Sequence, residues 1–116
     1  MKSSIRNNTI RPLGAKLMSY REILKTEDVW VRELVMEKNQ CTDWHFHTNV
    51  ADFFVCLTGA VQIETKSPDN KIQLYPGLQA KVDPMILHRI KNLRDEKSEY
   101  LLIQGVGVYD FVTKNC

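Results

Sequence analysis

From Asp28 onward the chain is a succession of short runs rich in β-branched and aromatic residues, each closed by a turn signal. Val29-Trp30-Val31-Arg32-Glu33-Leu34-Val35-Met36 is the first, and residues 50–57 form a nearly continuous apolar run. After the Thr58-Gly59 turn, Val61 and Ile63 alternate with Gln62 and Glu64, which predicts one buried face and one wet face. Ser67-Pro68-Asp69-Asn70 is a turn cluster and predicts a hairpin into Ile72-Gln73-Leu74-Tyr75. Pro76-Gly77 is a further turn, followed by strand-like residues 78–82 and 86–92. A turn over 94–97 precedes 100–104, and 106–113 closes the pattern. So many short strands with frequent turns predict an all-β barrel or sandwich.

The 116 residues leave room for one domain. Residues 28–116 read as the barrel, and 1–27 as an N-terminal arm carrying a short helix or an edge strand. The helix would occupy 15–25, because Leu17, Tyr20 and Leu24 share a face at helical spacing. A strand fits the same residues nearly as well.

Composition narrows the function classes. A net charge of +2, with bases and acids interleaved as in Lys91-Asn92-Leu93-Arg94-Asp95-Glu96-Lys97, gives no electrostatic footprint for nucleic acid. No apolar run is long enough to span a bilayer, and residues 1–14 lack the apolar stretch of a secretory signal. The three cysteines are odd in number and share no Cys-x-x-Cys spacing, which argues against a disulfide framework. A reduced, cytoplasmic setting is the expectation.

The chain has three histidines, and two of them form His45-Phe46-His47. At i and i+2 of a strand both rings project from one face, an arrangement in which two nitrogens can meet one metal ion. Asp52 follows at the head of the apolar run, where burial demands a partner for its charge. His88 lies far along the chain between Ile86, Leu87 and Ile90, and a closed barrel can bring it to the same interior patch. A lone histidine on an apolar strand is more often a hydrogen-bonded core residue than a ligand, so the spacing by itself leaves both readings open.

The stretch from His45 to Gly59 resembles the first cupin motif, Gly-x5-His-x-His-x3–4-Glu-x6-Gly. Both histidines, the spacer and the closing glycine match, whereas Asn39 stands for the opening glycine and Asp52 for the glutamate. The second motif, Gly-x5-Pro-x-Gly-x2-His-x3-Asn, is met by Gly77, His88 and Asn92, with Asp83 in place of proline and Met85 in place of the second glycine. Asparagine also visits positive φ, which makes Asn39 a tolerable substitute. The resemblance implies a cupin-type double-stranded β-helix, or jelly-roll barrel. It also implies one divalent ion (iron, zinc, nickel or manganese) at His45, His47, Asp52 and His88. A homodimer is a further implication, with residues 1–14 suited to reach across a partner. Aspartate is one methylene shorter than glutamate, so Asp52 reads either as a direct ligand or as a group orienting a histidine.

Alternation then suggests the lining. If Asp52 faces inward, so do Phe54 and Cys56, giving a mostly apolar pocket. Arg32, Tyr20, Tyr100 and Gln104 are the further polar candidates. Arg32 turned inward would hold a carboxylate or phosphate; on an outward face it is an ordinary exposed strand arginine, the commoner case. These features point to a metalloenzyme acting on a small molecule, with oxygenase chemistry ahead of isomerase or lyase chemistry. The alternative is a non-catalytic metal- or small-molecule-binding barrel.

Overall fold

A computed structural model describes residues 11–13, 18–105 and 110–114. They form eleven strands: β1 (Arg11–Leu13), β2 (Met18–Lys25), β3 (Val29–Met36), β4 (His45–Phe46), β5 (Ala51–Thr58), β6 (Val61–Lys66), β7 (Asn70–Leu74), β8 (Gln79–Val82), β9 (Leu87–Asn92), β10 (Ser98–Gly105) and β11 (Val112–Thr113). One sheet has the order β1-β2-β3-β10-β5-β8 and the other β11-β4-β9-β6-β7, with antiparallel pairing throughout. The described residues contain no helix.

The inward face of each central strand is graded along its length. On β3 it presents Arg32, Leu34 and Met36, and on β5 Asp52, Phe54 and Cys56. On β9 it presents His88, Ile90 and Asn92, and on β10 Gln104, Leu102, Tyr100 and Ser98. Antiparallel pairing aligns these series: Gln104 lies opposite Asp52, Leu102 opposite Phe54, and Tyr100 opposite Cys56. The result is a polar layer at one end, an apolar middle, and a second polar knot at the other end. Leu34, Met36, Phe54, Val61, Ile63, Leu74, Val82, Ile90 and Leu102 make the apolar middle. Each such side chain contributes about 1.5–3 kcal/mol on full burial.

The far knot is built on Asn92. Its side-chain amide donates to the carbonyls of Met36, Glu37 and Glu96 at 3.3, 2.8 and 2.9 Å, and its Oδ1 accepts from Arg94 N and Ser98 Oγ at 3.0 and 2.7 Å. Ser98 Oγ in turn accepts from Ala60 N at 3.1 Å. Gly59 sits against this knot with φ of 75°, and a Cβ there would lie 2.1 Å from Ser98 Oγ, so only glycine fits.

Two turn positions explain the departures from the glycine pattern. Asn39 adopts φ of 59°, the left-handed region that asparagine tolerates. Met85 adopts φ of 71° with its side chain 62% exposed, so strain is present with little packing to offset it. Met85→Gly is expected to raise stability by ~1 kcal/mol, since a non-glycine residue pays ~1–2 kcal/mol in that region. A urea titration reads the shift in midpoint, and an unchanged or lowered midpoint would count against it.

The structure decides one expectation left open between helix and strand and corrects another. Residues 18–25 are strand, not helix: β2 is zipped to β3 from Ser19 opposite Val35 to Lys25 opposite Trp30, with a bulge between Glu22 and Leu24. Tyr20 packs against the core while Leu24 is exposed, so the two do not share a buried helical face; Leu17 lies outside the described residues. Ladder pairing along a whole strand overrides weak local periodicity. Gln62 and Glu64 are also not on a wet face, being 8% and 5% exposed. Gln62 donates to Glu64 at 2.6 Å, Gln73 donates to Gln62 at 3.2 Å, and Arg89 pairs with Glu64 at 2.9 Å. Arg89 also lies over the Trp44 ring at 4.7 Å, so long side chains roof the outer face of this sheet.

Candidate metal centre

His45 enters from β4, His47 follows that strand, Asp52 opens β5, and His88 sits in β9 opposite His45. All four are buried, and their donor atoms lie within 4.8 Å of one another, close enough to hold one metal ion. Each ring is held from behind. His45 Nδ1 meets Asp43 O at 2.7 Å, His47 Nδ1 meets Asp110 O at 2.5 Å, and His88 Nδ1 meets Ile86 O at 2.8 Å. A carbonyl oxygen only accepts, so each Nδ1 carries the proton and each Nε2 is left for the interior.

Asp52 Oδ2 lies 3.1 Å from His47 Nε2 and 2.9 Å from His88 Nε2. With the protons on Nδ1, those contacts set nitrogen lone pairs against a carboxylate. They are favourable only with positive charge between them. Protonating both rings would bury two cations against one anion, a costly arrangement. One divalent ion placed between the donors would satisfy all of them instead. Ligands at right angles around an ion ~2.1 Å away stand ~3.0 Å apart, the spacing of Asp52 Oδ2 from His47 and His88 Nε2. The donor set therefore fits a metal, with Asp52 Oδ2 turned to the same point as the rings.

The titration properties carry the same imprint. Burial, with His88 beside it, pushes the His45 pKa down to about 3, so its ring stays neutral. Burial alone would lower His47, but the neighbouring Asp52 carboxylate outweighs it and raises its pKa, favouring positive charge at this point. Burial would raise Asp52, yet the adjoining His47 and His88 rings hold it below the usual carboxylate range. The centre is arranged to attract a cation.

Behind Asp52 lies a buried relay. Gln104 Nε2 donates to Asp52 Oδ1 at 2.8 Å, and Gln104 Oε1 accepts from the Arg32 guanidinium. Arg32 lies over the Trp30 ring at 3.7 Å and near the Tyr20 ring at 5.7 Å. The arginine thus fixes the amide, and the amide fixes which carboxylate oxygen faces the histidines. Gln104→Leu removes that bond and leaves Oδ1 buried without it. Metal affinity is expected to fall 10–100-fold at unchanged stoichiometry, the usual cost of losing an outer support. A competitive chelator titration measures this, and wild-type affinity would contradict the relay.

A cavity of about 40 Å³ opens beside the donors, lined by Arg32, His45, His47, Asp52, Tyr100 and Gln104 together with Leu34, Thr42, Ile90, Leu102 and Phe111. That is room for ~3 water-sized groups. Arg32 is 2% exposed, so it is not the exposed strand arginine that residue frequencies favour. Phe54 packs one layer down, its ring 6.2 Å from His88 and 5.9 Å from Tyr100. Cys56 lies deeper still, its thiol near the carbonyls of Thr58 and Gly59 and its pKa raised by burial. It is not brought to the cavity.

Residues 110 and 111 were not legible as part of this site. Asp110 accepts from Thr48 N at 2.8 Å and Thr48 Oγ1 at 2.5 Å, besides holding His47 through its carbonyl. Phe111 then stacks on His45 at 4.3 Å and 19°, 48% exposed, across the mouth of the cavity. Only the pairing of β11 with β4 brings them there, and no local signal in 106–113 announces it.

No protein-family model and no curated protein matches the chain. Solved structures do. A double-stranded β-helix protein from Klebsiella pneumoniae has a TM-score of 0.75 at 19% identity, covering 91% of each chain. KdgF from a Halomonas species has a TM-score of 0.74 at 14% identity, over 84% of this chain and 87% of that one. A cupin superfamily protein from Desulfitobacterium hafniense has a TM-score of 0.67 at 16% identity, over 77% of both. With the two-sheet topology and the inward histidines, these likenesses establish that the chain has the cupin fold, a double-stranded β-helix.

Proposed function

We propose that this protein is a metal-dependent enzyme acting on a small molecule, its ion held by His45, His47, His88 and Asp52. The observation that carries this reading is the orientation of the donors: three Nδ1–H groups anchored to carbonyls leave the Nε2 atoms free, those of His47 and His88 meeting one oxygen of Asp52 and all four residues' donor atoms lying within 4.8 Å of one another. Bound iron would supply oxygenase chemistry, and zinc, nickel or manganese would act as a Lewis acid for isomerase or lyase chemistry. The apolar walls of Leu34, Ile90, Leu102 and Phe111 favour the oxygenase version, because they keep water from a reactive centre. Tyr100, its pKa raised by burial, keeps its proton and faces the cavity as a hydroxyl donor rather than a base.

Oxygen uptake by the iron-loaded protein, screened with small carboxylic acids, thiols, diketones and phenols, tests the reading against His88→Ala as control. Uptake above the control with one of them is expected. No turnover with any of the four metals would favour a non-catalytic binding barrel, which the scarcity of acid–base groups in the cavity already supports. A homodimer in the cytoplasm belongs to the same proposal, and exposed Leu57, Tyr75 and Leu78, gathered where β5 ends and β8 begins, support an interface. Light scattering giving the 13.5 kDa mass of one chain would count against it.

A further inference from the structure

Of the described residues that line the cavity beside the donors, Phe111 alone is exposed; Thr42 is half-buried and the others are buried. The Phe111 ring lies nearly flat on His45, with centroids 4.3 Å apart at 19°, and its centroid stands 5.8 Å from that of His47. It covers two of the candidate donors on the side that faces solvent. Stacked aromatic faces attract one another beyond the area they bury, so the ring has a preferred seat.

The backbone holds that seat from both sides. Before the ring, Asp110 accepts from Thr48 N and Thr48 Oγ1, and its carbonyl accepts from His47 Nδ1. After it, Val112 pairs with Phe46, and Lys114 N donates to Trp44 O at 3.2 Å. The Phe111 backbone is thereby tied to the segment that carries His45 and His47. With those ties intact, the ring clears the mouth only by rotating off His45 and giving up the stack.

The other walls do not give. Leu34, Ile90 and Leu102 line the cavity and are also part of the packed core, where displaced side chains have no free space to enter. The space they leave is about 40 Å³, enough for a few heavy atoms. Resting on the metal-centre reading above, we infer that Phe111 is the size-determining residue of this site. With its ring in place the ion takes small, unbranched ligands; with the ring trimmed it takes bulky or aromatic ones as well.

Protein stoichiometrically loaded with cobalt and freed of excess ion provides the test, since the visible spectrum of cobalt reports a ligand that enters its surroundings. Ethanethiol and phenylmethanethiol offer the same donor sulfur on bodies of different size, and both are titrated against wild type, Phe111→Leu and Phe111→Ala. The wild type is expected to bind ethanethiol at least ~10-fold more tightly than phenylmethanethiol, a discrimination of the size that a poorly fitted group imposes. Phe111→Ala is expected to abolish that preference by gaining affinity for the larger thiol, with ethanethiol nearly unchanged, and Phe111→Leu to fall between. Equal affinities in the wild type, or a preference that survives in Phe111→Ala, would overturn the inference. If Phe111→Ala fails to retain cobalt, Phe111→Leu decides alone, and an unchanged preference there overturns it. Failure of the wild type to bind cobalt would instead overturn the metal centre, which keeps the two claims separable.

Discussion

His88→Ala is expected to lower metal affinity by at least ~100-fold while leaving the barrel folded. Loss of an outer support already costs 10–100-fold, and removal of a donor exceeds that. His88 lies at the site end of β9, and Asp52 Oδ2 faces it at 2.9 Å. Without the ring, the carboxylate and His47 are left to hold the ion with His45 alone. The strand itself remains paired, since the ladder from Val61 opposite Asn92 to Lys66 opposite Leu87 uses backbone groups. A chelator titration reads the affinity and far-ultraviolet circular dichroism reads the fold. Wild-type affinity in this variant would remove His88 from the donor set.

The largest effect on stability is expected at the opposite end of the barrel. Asn92→Ala deletes an amide that serves three carbonyls and an Oδ1 that accepts from Arg94 N and Ser98 Oγ. Each buried group left unsatisfied costs ~1–3 kcal/mol, and the connections between β3, β9 and β10 loosen together. A loss of ~4 kcal/mol is expected, or a fall of ~15 °C in Tm for a domain of this size. Metal affinity stays within a few-fold of wild type, because the intervening Ile90 layer separates Asn92 from the donors. A calorimetric Tm within 3 °C of wild type, taken as ~1 kcal/mol, would show the knot to be dispensable.

What the sequence discloses divides along a physical line. Strand alternation has a period of two, so His45 and His47, or Asp52, Phe54 and Cys56, were assignable to one face without knowing the partner strand. The glycine-like positions were equally local: Asn39 and Gly59 have positive φ because the turn demands it. Arg32 was not legible in this way. Its hydrogen bond runs to Gln104, seventy-two positions away, while its ring partner Trp30 lies only two residues back on the same strand. The cover formed by Asp110 and Phe111 depends on β11 finding β4, again a long-range pairing. The strand at 18–25 and the roofed Gln62–Glu64 pair are similar cases, set by neighbours rather than by their own periodicity. The candidate metal donors were readable because spacing carries them; Arg32 and Gln104 could be named as polar candidates, but their link to Asp52 could not, because only tertiary structure makes it.

The central claim is that these four side chains hold one divalent ion. It is tested most directly by elemental analysis of the untagged protein, as purified and after reconstitution with iron, zinc, nickel and manganese in turn. The account predicts about one equivalent of a single ion per chain, absent from His45→Ala and His88→Ala treated identically. No ion retained by the wild type under any of these conditions, or an equivalent that survives both substitutions, would contradict it.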